Sequence, residues 1–405
     1  MSTLFGRKPL VALDIGSSSI KLCQLEKTDK GVKLVRFDIA MLPLETGVGG
    51  FLMNRTAVVE KIRELLKATK CVDAECALSI SGHSVIVKKI SVPEMTADEL
   101  KQSLQWEAEQ YIPFNIKDVH VDAQILNPKA GQGMMDVLLV AAKKDVINDY
   151  MNVARDAGIN PVVVDVDLFT CQNAFDLNYG IPPNEIIALV NVGASTMNIN
   201  VISNGITTFT RDICMGGSLV TEEIMKQLNV SWEEAELYKI DIGSVEVESS
   251  AIFREVQKIH ERVSERLVTE VQRTLDFFAA TTINYDIARM YLSGGASQVS
   301  ALIRAMERRL EIPVELVNPF KNISIDCRKF DLDLIQKMGP IATVAVGLAR
   351  RSVGDEQEGK GVRINLLRKE YGAPFITGGR PRLPLSISFR IPLTKTRFTT
   401  SLTED

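Results

Sequence analysis

The chain has little with which to build a metal centre or a disulfide framework. Its 405 residues hold 6 cysteines and 3 histidines. Cys23, Cys71, Cys76, Cys171, Cys214 and Cys327 lie scattered, with no CxxC pair and no histidine cluster beside them. A zinc site is therefore excluded, and reduced core thiols are expected. Positive charge is not in excess either. The 47 Lys and Arg against 51 Asp and Glu leave a net charge of −4, so there is no general basic field and no nucleic-acid partner is expected. Long apolar runs are missing too. Met1 to Leu13 lacks the apolar stretch of a signal peptide, and no segment reaches the roughly 18 uninterrupted apolar residues of a spanning helix. The expectation is a cytoplasmic protein with no direct membrane insertion, recruited to a membrane only through partners.

What is present reads as a globular α/β chain. Apolar residues make up 45% and charged residues 24%, and the length implies two or more lobes. Short apolar runs bounded by Gly, Asn and Asp alternate with helical patterns. Leu10 to Ile15 reads as a buried strand, Ile20 to Leu25 as its hairpin partner and Val58 to Ala68 as a helix. The same opening returns at Ile186 to Asn191 and Met197 to Ile202, followed by a strand at Ile206 to Ile213 and a helix from Leu219, so the fold is expected to be duplicated.

Between the two copies, Ser91 to Ala142 reads as an insertion behind a strand at about Val85 to Ile90. Thr96 and Glu99 form a T-x-x-E capping box before Leu100, Leu104, Ala108 and Tyr111, and Pro113 stops the helix. Trp106 and Tyr111 are expected in core or interface. A long helix is expected between about Ile252 and Phe278, and a small-residue helix from Gly339 to Arg351. These boundaries give a first lobe over 1–184 with an inserted α+β subdomain at about 85–160, a second lobe over 185–337, and a helix at 338–352 returning to the first lobe. Residues 353–405 read as a polar linker and a basic, disordered tail.

Chemistry is carried by three glycine-containing turns that follow buried strands: Asp14-Ile15-Gly16-Ser17-Ser18-Ser19, Asn191-Val192-Gly193-Ala194-Ser195-Thr196 and Ser293-Gly294-Gly295-Ala296-Ser297. Each exposes backbone N–H groups, and paired hairpin tips can grip phosphates from opposite sides. In this order the three turns resemble the phosphate and adenosine motifs of the actin-like ATPases. The match is closer at Ser81 to Ile90, at Gln105 to Phe114 and at Val163 to Asp167, which look like the PilM family of type IV pilus assembly, relatives of FtsA. The resemblance covers roughly residues 8–352. It implies an actin-like fold with two lobes around a nucleotide cleft and a bound ATP or ADP with Mg²⁺.

Carried over residue by residue, the resemblance makes Asp14 the carboxylate that orients Mg²⁺ through water. Gly16, Ser17, Ser18 and Ser19 would bind phosphates with Lys21 adding charge, and Asn191, Gly193, Ala194 and Thr196 would form the opposing cradle. Gly216 and Gly217, with Glu223 and Lys226, would border the ribose and base, and Gly294, Gly295 and Ala296 would receive the adenosine. Taken as ordinary residues, Gly82, Gly216 and Gly217 are turn glycines, Lys226 sits on a solvated helix face and His83 is structural. Asp165 and Asp167 alternate along a strand, so at most one faces the cleft as an acid or base, with the other solvated.

Asn191 stands where hydrolytic relatives usually carry Asp. An amide cannot supply negative charge to position Mg²⁺ or water, so at most slow ATP hydrolysis is expected. The resemblance further implies a platform recruited to the inner membrane, binding the amino-terminal cytoplasmic segment of PilN between the insertion and the first lobe. It also implies contact with the pilus motor ATPases, and self-association or a ring. Two other classes make different demands on the sequence. An active ATPase or kinase would need an acidic base, which Asp167 or Asp165 could supply. An FtsA-like filament protein would need an amphipathic carboxy-terminal helix, which Pro374, Pro381, Pro384 and Pro392 preclude. Finally, Val362 to Arg368 looks like the start of PilN. Either the tail occupies the PilN groove with Ile364, Leu366 and Leu367 in apolar pockets and Asn365 on backbone, or it is a disordered basic tail.

Overall fold

In the computed structural model, residues 8–43, 46–71, 74–240, 251–282, 286–353 and 361–367 are described. The first lobe begins with β1 (Leu10–Ile15), β2 (Ser19–Thr28) and β3 (Gly31–Met41), an antiparallel meander in which Asp14 faces Lys21 and Ile15 faces Ile20. A two-residue-strand hairpin, β4 (Gly47–Val48) and β5 (Phe51–Leu52), leads to α1 (Arg55–Ala68). Asn54 caps α1 by accepting from the Ala57 N–H at 3.1 Å, and α1 buries Val58, Ile62 and Leu65 against the sheet. β6 (Glu75–Ile80) then runs parallel to β1.

The insertion follows as β7 (Val85–Pro93), α2 (Ala97–Glu109), β8 (Val119–Gly131) and β9 (Met134–Lys143), with sheet order β7-β9-β8. The Thr96–Glu99 capping box is formed: Thr96 Oγ1 accepts from the Glu99 N–H at 3.2 Å and Glu99 Oε2 from the Thr96 N–H at 2.7 Å. Strand alternation lets β9 serve two cores. Met135, Val137, Leu139 and Ala141 pack with Leu100, Leu104 and Ala108 of α2, while Leu138, Val140 and Ala142 join the first-lobe core. Trp106 is 76% exposed, so it is a surface residue rather than a core one.

α3 (Lys144–Asp156), β10 (Asn160–Val166) and α4 (Asp167–Tyr179) complete the first half. α3 buries Val146, Ile147, Tyr150 and Val153 in the first-lobe core, so the insertion ends near Lys143 and not at about 160. The second lobe contains β11 (Ile186–Val192), β12 (Met197–Ser203), β13 (Ile206–Ile213), α5 (Ser218–Leu228), α6 (Trp232–Ile240), α7 (Ala251–Thr281), β14 (Ile287–Ser293), α8 (Ser300–Leu310) and β15 (Val314–Leu316). Its sheet order is β13-β12-β11-β14-β15, and the first lobe has the matching order β3-β2-β1-β6-β10, with one further short strand outside β3. In each, an antiparallel meander is followed by two parallel strands.

The chain returns to the first lobe earlier than residue 338. β16 (Ile323–Ser324) pairs with β3, and Phe320, Ile323 and Ile335 pack with Ala12, Cys23 and Leu34. α9 (Leu332–Met338) precedes the helix expected from Gly339 to Arg351, which is present as α10 (Thr343–Ala349) flanked by tighter helical turns at Pro340–Ala342 and Arg350–Ser352. Gly347 lets α10 touch α4, since a Cβ there would lie 1.7 Å from the Thr170 carbonyl oxygen. Among the described residues no single helix is long and apolar enough to cross a membrane; the bent pair of α9 and the segment Pro340–Ser352 passes on composition, but α10 is core. Cys23, Cys71, Cys76 and Cys171 are buried as expected, whereas Cys214 and Cys327 are exposed. Seven residues of the expected tail, 361–367, are packed on the first lobe with Val362, Ile364 and Leu366 buried; residues beyond 367 lie outside the described ones.

Candidate functional site

The duplicated hairpins bring their tips together. Each closes the same way, with the glycine N–H bonded three residues on: Gly16 to the Ser19 carbonyl at 3.1 Å and Gly193 to the Thr196 carbonyl at 2.9 Å. Across the lobes, the Ser195 hydroxyl donates to Ser17 Oγ at 2.8 Å. Ser18 is exposed beside this contact, and Ser19 is buried below it. The Asp14 and Lys21 side chains are both buried under the first tip, 3.3 Å apart.

Behind the second tip, a polar ladder crosses four adjacent strands in register. Ser293 Oγ donates to Asn191 Oδ1 at 3.3 Å, Asn191 Nδ2 to Asn198 Oδ1 at 3.0 Å, and Asn198 Nδ2 to Asp212 Oδ1 at 2.8 Å. Asp212 Oδ2 then accepts from the Gly82 N–H of the first lobe at 2.7 Å, so the ladder ends by tying the lobes together. Gly82 has φ +96°, and a Cβ would lie 2.5 Å from the Gly49 carbonyl oxygen, so glycine is required by backbone contact. Burial pushes the Asp212 carboxyl above its ordinary range.

Glycines 216 and 217 bind the second tip from behind. The Gly217 N–H donates to the Gly193 carbonyl and the Ser218 N–H to the Ala194 carbonyl, each at 2.9 Å. A Cβ on Gly216 would fall 2.4 Å from the Gly193 oxygen, and one on Gly217 would fall 2.9 Å from the Ala296 Cβ. The third turn meets them there. Gly294 has φ +87° and the space for its Cβ is filled by the Val192 carbonyl, whereas Gly295 has only Ile341 nearby, at 3.9 Å. Thus Gly193, Ala194, Gly216, Gly217, Gly294, Gly295 and Ala296 gather at one end of the second sheet.

The remaining expected residues separate. Asp167 opens α4 and does not continue the strand; burial and the nearby Asp14 carboxylate raise its pKa to about 7. Asp165 is not solvated. It is fully buried and bound by the Arg351 guanidinium, with Arg351 Nε at 3.1 Å, and desolvation raises its pKa despite that partner. It is a structural ion pair. Glu223 is held by Arg262 and Arg266 of α7 at 3.3 and 3.9 Å, and Lys226 is exposed, 4.0 Å from Glu222. Asp212 belongs to none of the three turns, and its signal in the sequence is an acid just before Cys214-Met215-Gly216-Gly217.

Asp14 and Asp167 supply hard oxygen donors that suit Mg²⁺, and the tips supply hydroxyls and backbone N–H groups that suit phosphate. Among the described residues, no group of three His, Cys, Asp or Glu side chains could hold a metal ion directly. These residues therefore fit a hydrated ion carried with phosphates. A phosphate group entering between the tips would replace the Ser17–Ser195 hydrogen bond.

Comparison with known proteins gives a consistent assignment. The family described as type IV pilus assembly protein PilM matches residues 12–353. Cell division protein FtsA of Bacillus subtilis (strain 168) is 24% identical over 259 residues, covering 58% of this chain and 58% of that protein, so the chain spans little more than half of this relative. Among solved structures, a PilM-PilN type IV pilus biogenesis complex is similar with a TM-score of 0.76 and 26% identity over 86% of this chain and 100% of that one. The ethanolamine utilization protein EutJ from Carboxydothermus hydrogenoformans shares the fold, with a TM-score of 0.50 and 16% identity over 86% of this chain and 91% of that one. The chain belongs to the PilM family of type IV pilus assembly proteins and has the actin-like ATPase fold.

Proposed function

We propose that the chain is an ATP-binding platform of the pilus assembly machinery, whose lobes close on Mg·ATP and thereby adjust a surface that receives the amino-terminal segment of PilN. The observation that carries this reading is the meeting of the two tips at Ser17 and Ser195 above Asp14 and Asp167. A triphosphate between the tips would accept from both sets of backbone N–H groups, with Asp14 orienting the ion through water.

Helix α4 supplies a route from cleft to partner surface. Asp167 faces the cleft, and Gln172 Oε1 accepts from Asn200 and Thr207 of the second lobe at 3.0 and 2.7 Å. The next residue, Asn173, bonds the backbone of Val362 in the segment packed beside β10. Lobe movement about α4 would therefore be felt at the first-lobe surface. Slow turnover accords with Asn191, whose amide is committed to Asn198 and Ser293. The test is to identify nucleotide retained by the purified protein and to measure phosphate release on the same sample. Retained ATP or ADP with slow release supports the platform, and the absence of any nucleotide affinity overturns it.

A further inference from the structure

Residues 361–367 lie between two sheet edges. β10 is the edge strand of the first-lobe sheet and β8 the edge strand of the inserted one. On the β10 side, the Leu366 N–H donates to the Val164 carbonyl at 2.8 Å. Asn365 imitates a strand with its side chain: Oδ1 accepts from the Val164 N–H at 3.1 Å and Nδ2 donates to the Val162 carbonyl at 3.3 Å. On the β8 side, Asp122 Oδ2 accepts from the Asn365 N–H at 2.7 Å, and Gln124 Oε1 accepts from the Arg363 N–H at 2.8 Å. Asn173 both donates to the Val362 carbonyl, at 2.8 Å, and accepts from the Val362 N–H, at 2.9 Å. Arg351, already on Asp165, also donates to the Ile364 carbonyl.

This is a built peptide site. Asp122 and Asn173 are each 4% exposed and turn their polar atoms to the backbone of the segment, where an unfilled groove would leave them without those partners. Alternation does the rest: Val362, Ile364 and Leu366 are buried in the first-lobe core while Arg363 points outward. Hydrogen bonds to the segment, one from main chain to main chain and the rest through side chains, give affinity, and the alternate pockets with the Asn365 position give selectivity. The occupant belongs to the same chain, because only residues 354–360 separate Val353 from Gly361, and the Gly361 Cβ position lies 3.2 Å from Arg350 Nη1.

We propose that residues 361–367 are a tethered ligand for the groove that receives the partner, so that an incoming extended peptide with apolar alternate residues and Asn between the last two must displace them. The proposal rests on the partner groove given under Proposed function. A tether sets an effective concentration of about 1 mM; for a segment that binds alone at about 10 µM, competition weakens a free peptide about 100-fold.

The test places a protease site within 354–360 and cuts the protein after it has folded, with retention of the melting transition checked once the fragment is removed. A labelled synthetic peptide of residues 361–368 is then titrated by fluorescence anisotropy. The expected result is an apparent affinity about 100-fold tighter after cutting and removal of the released fragment, and a similar gain for uncut Leu366→Glu. Equal affinities before and after removal overturn the proposal. A PilN amino-terminal segment that binds cut and uncut protein alike keeps PilN as a partner at another surface and overturns only the competition. A PilN segment that binds neither form overturns the partner reading as well.

Discussion

Replacing Arg351 by Met removes the buried ion pair together with the hydrogen bond to the Ile364 carbonyl. The Asp165 side chain is fully buried and has two kinds of partner, the Arg351 guanidinium and the Val166 N–H at 2.8 Å. Methionine preserves much of the packing but leaves the carboxylate with the single N–H. Removing one member of a buried pair costs about 3–5 kcal/mol, because the remaining charge is uncompensated. At roughly 2 °C per kcal/mol for a large cooperative unit, Tm should fall by about 6–10 °C at pH 8. The cost has a defined pH dependence. Desolvation already raises the Asp165 pKa, and loss of Arg351 raises it further. The folded variant then binds a proton that the unfolded chain releases above its ordinary carboxylate pKa, so stability falls as pH rises and is regained towards acid. Melting curves at pH 5.5 and pH 8 read this directly, and the added Asp165→Leu change should restore most of the loss. A single variant within about 1 °C of the parent at pH 8, or one that melts lower in acid, would refute the reasoning.

Two further outcomes follow from the cleft. The Asp167 pKa is raised to about 7, so ligand-free protein should lose stability as pH rises from the ordinary carboxylate range through about 7. Asp167→Asn should flatten that dependence in calorimetric melts; an unchanged profile argues against the burial assigned to this carboxyl. Asn191→Asp replaces the donor to Asn198 Oδ1 with an acceptor, so it should lower stability by about 1–3 kcal/mol while raising phosphate release above the parent rate. A parent turning over at about 1 per second or faster contradicts the slow-hydrolysis reading.

The parts of the fold that were legible in sequence are those specified locally. A buried strand ending in Asp14 or Asn191 and followed by Gly and Ser announces a hairpin tip, and its recurrence announced the duplicated sheets. The capping box at Thr96 likewise needs four neighbouring residues only. What stayed hidden depends on pairing between distant strands. Asp212 joins the site because β13 registers it opposite Asn198, which no short window of sequence contains. Helical spacing put Glu223 and Lys226 on one face of α5, but α7 supplies the arginines that hold Glu223. The early return to the first lobe was hidden for a similar reason, since Phe320, Ile323 and Ile335 reach the core from short elements without a helical period. Asp165 and Asp167 read as alternating strand residues, but only Asp165 lies in β10, where Arg351 from far along the chain meets it, and Asp167 opens α4.

The most direct test of the account is isothermal titration of ATP into the nucleotide-stripped protein and its Asp14→Ala variant, each with and without Mg²⁺. The account predicts one ATP per chain in the parent, tighter with Mg²⁺, and loss of the Mg²⁺-dependent gain in Asp14→Ala with the melting transition retained. Unchanged affinity and Mg²⁺ dependence in that variant would contradict the placement of the nucleotide between the tips.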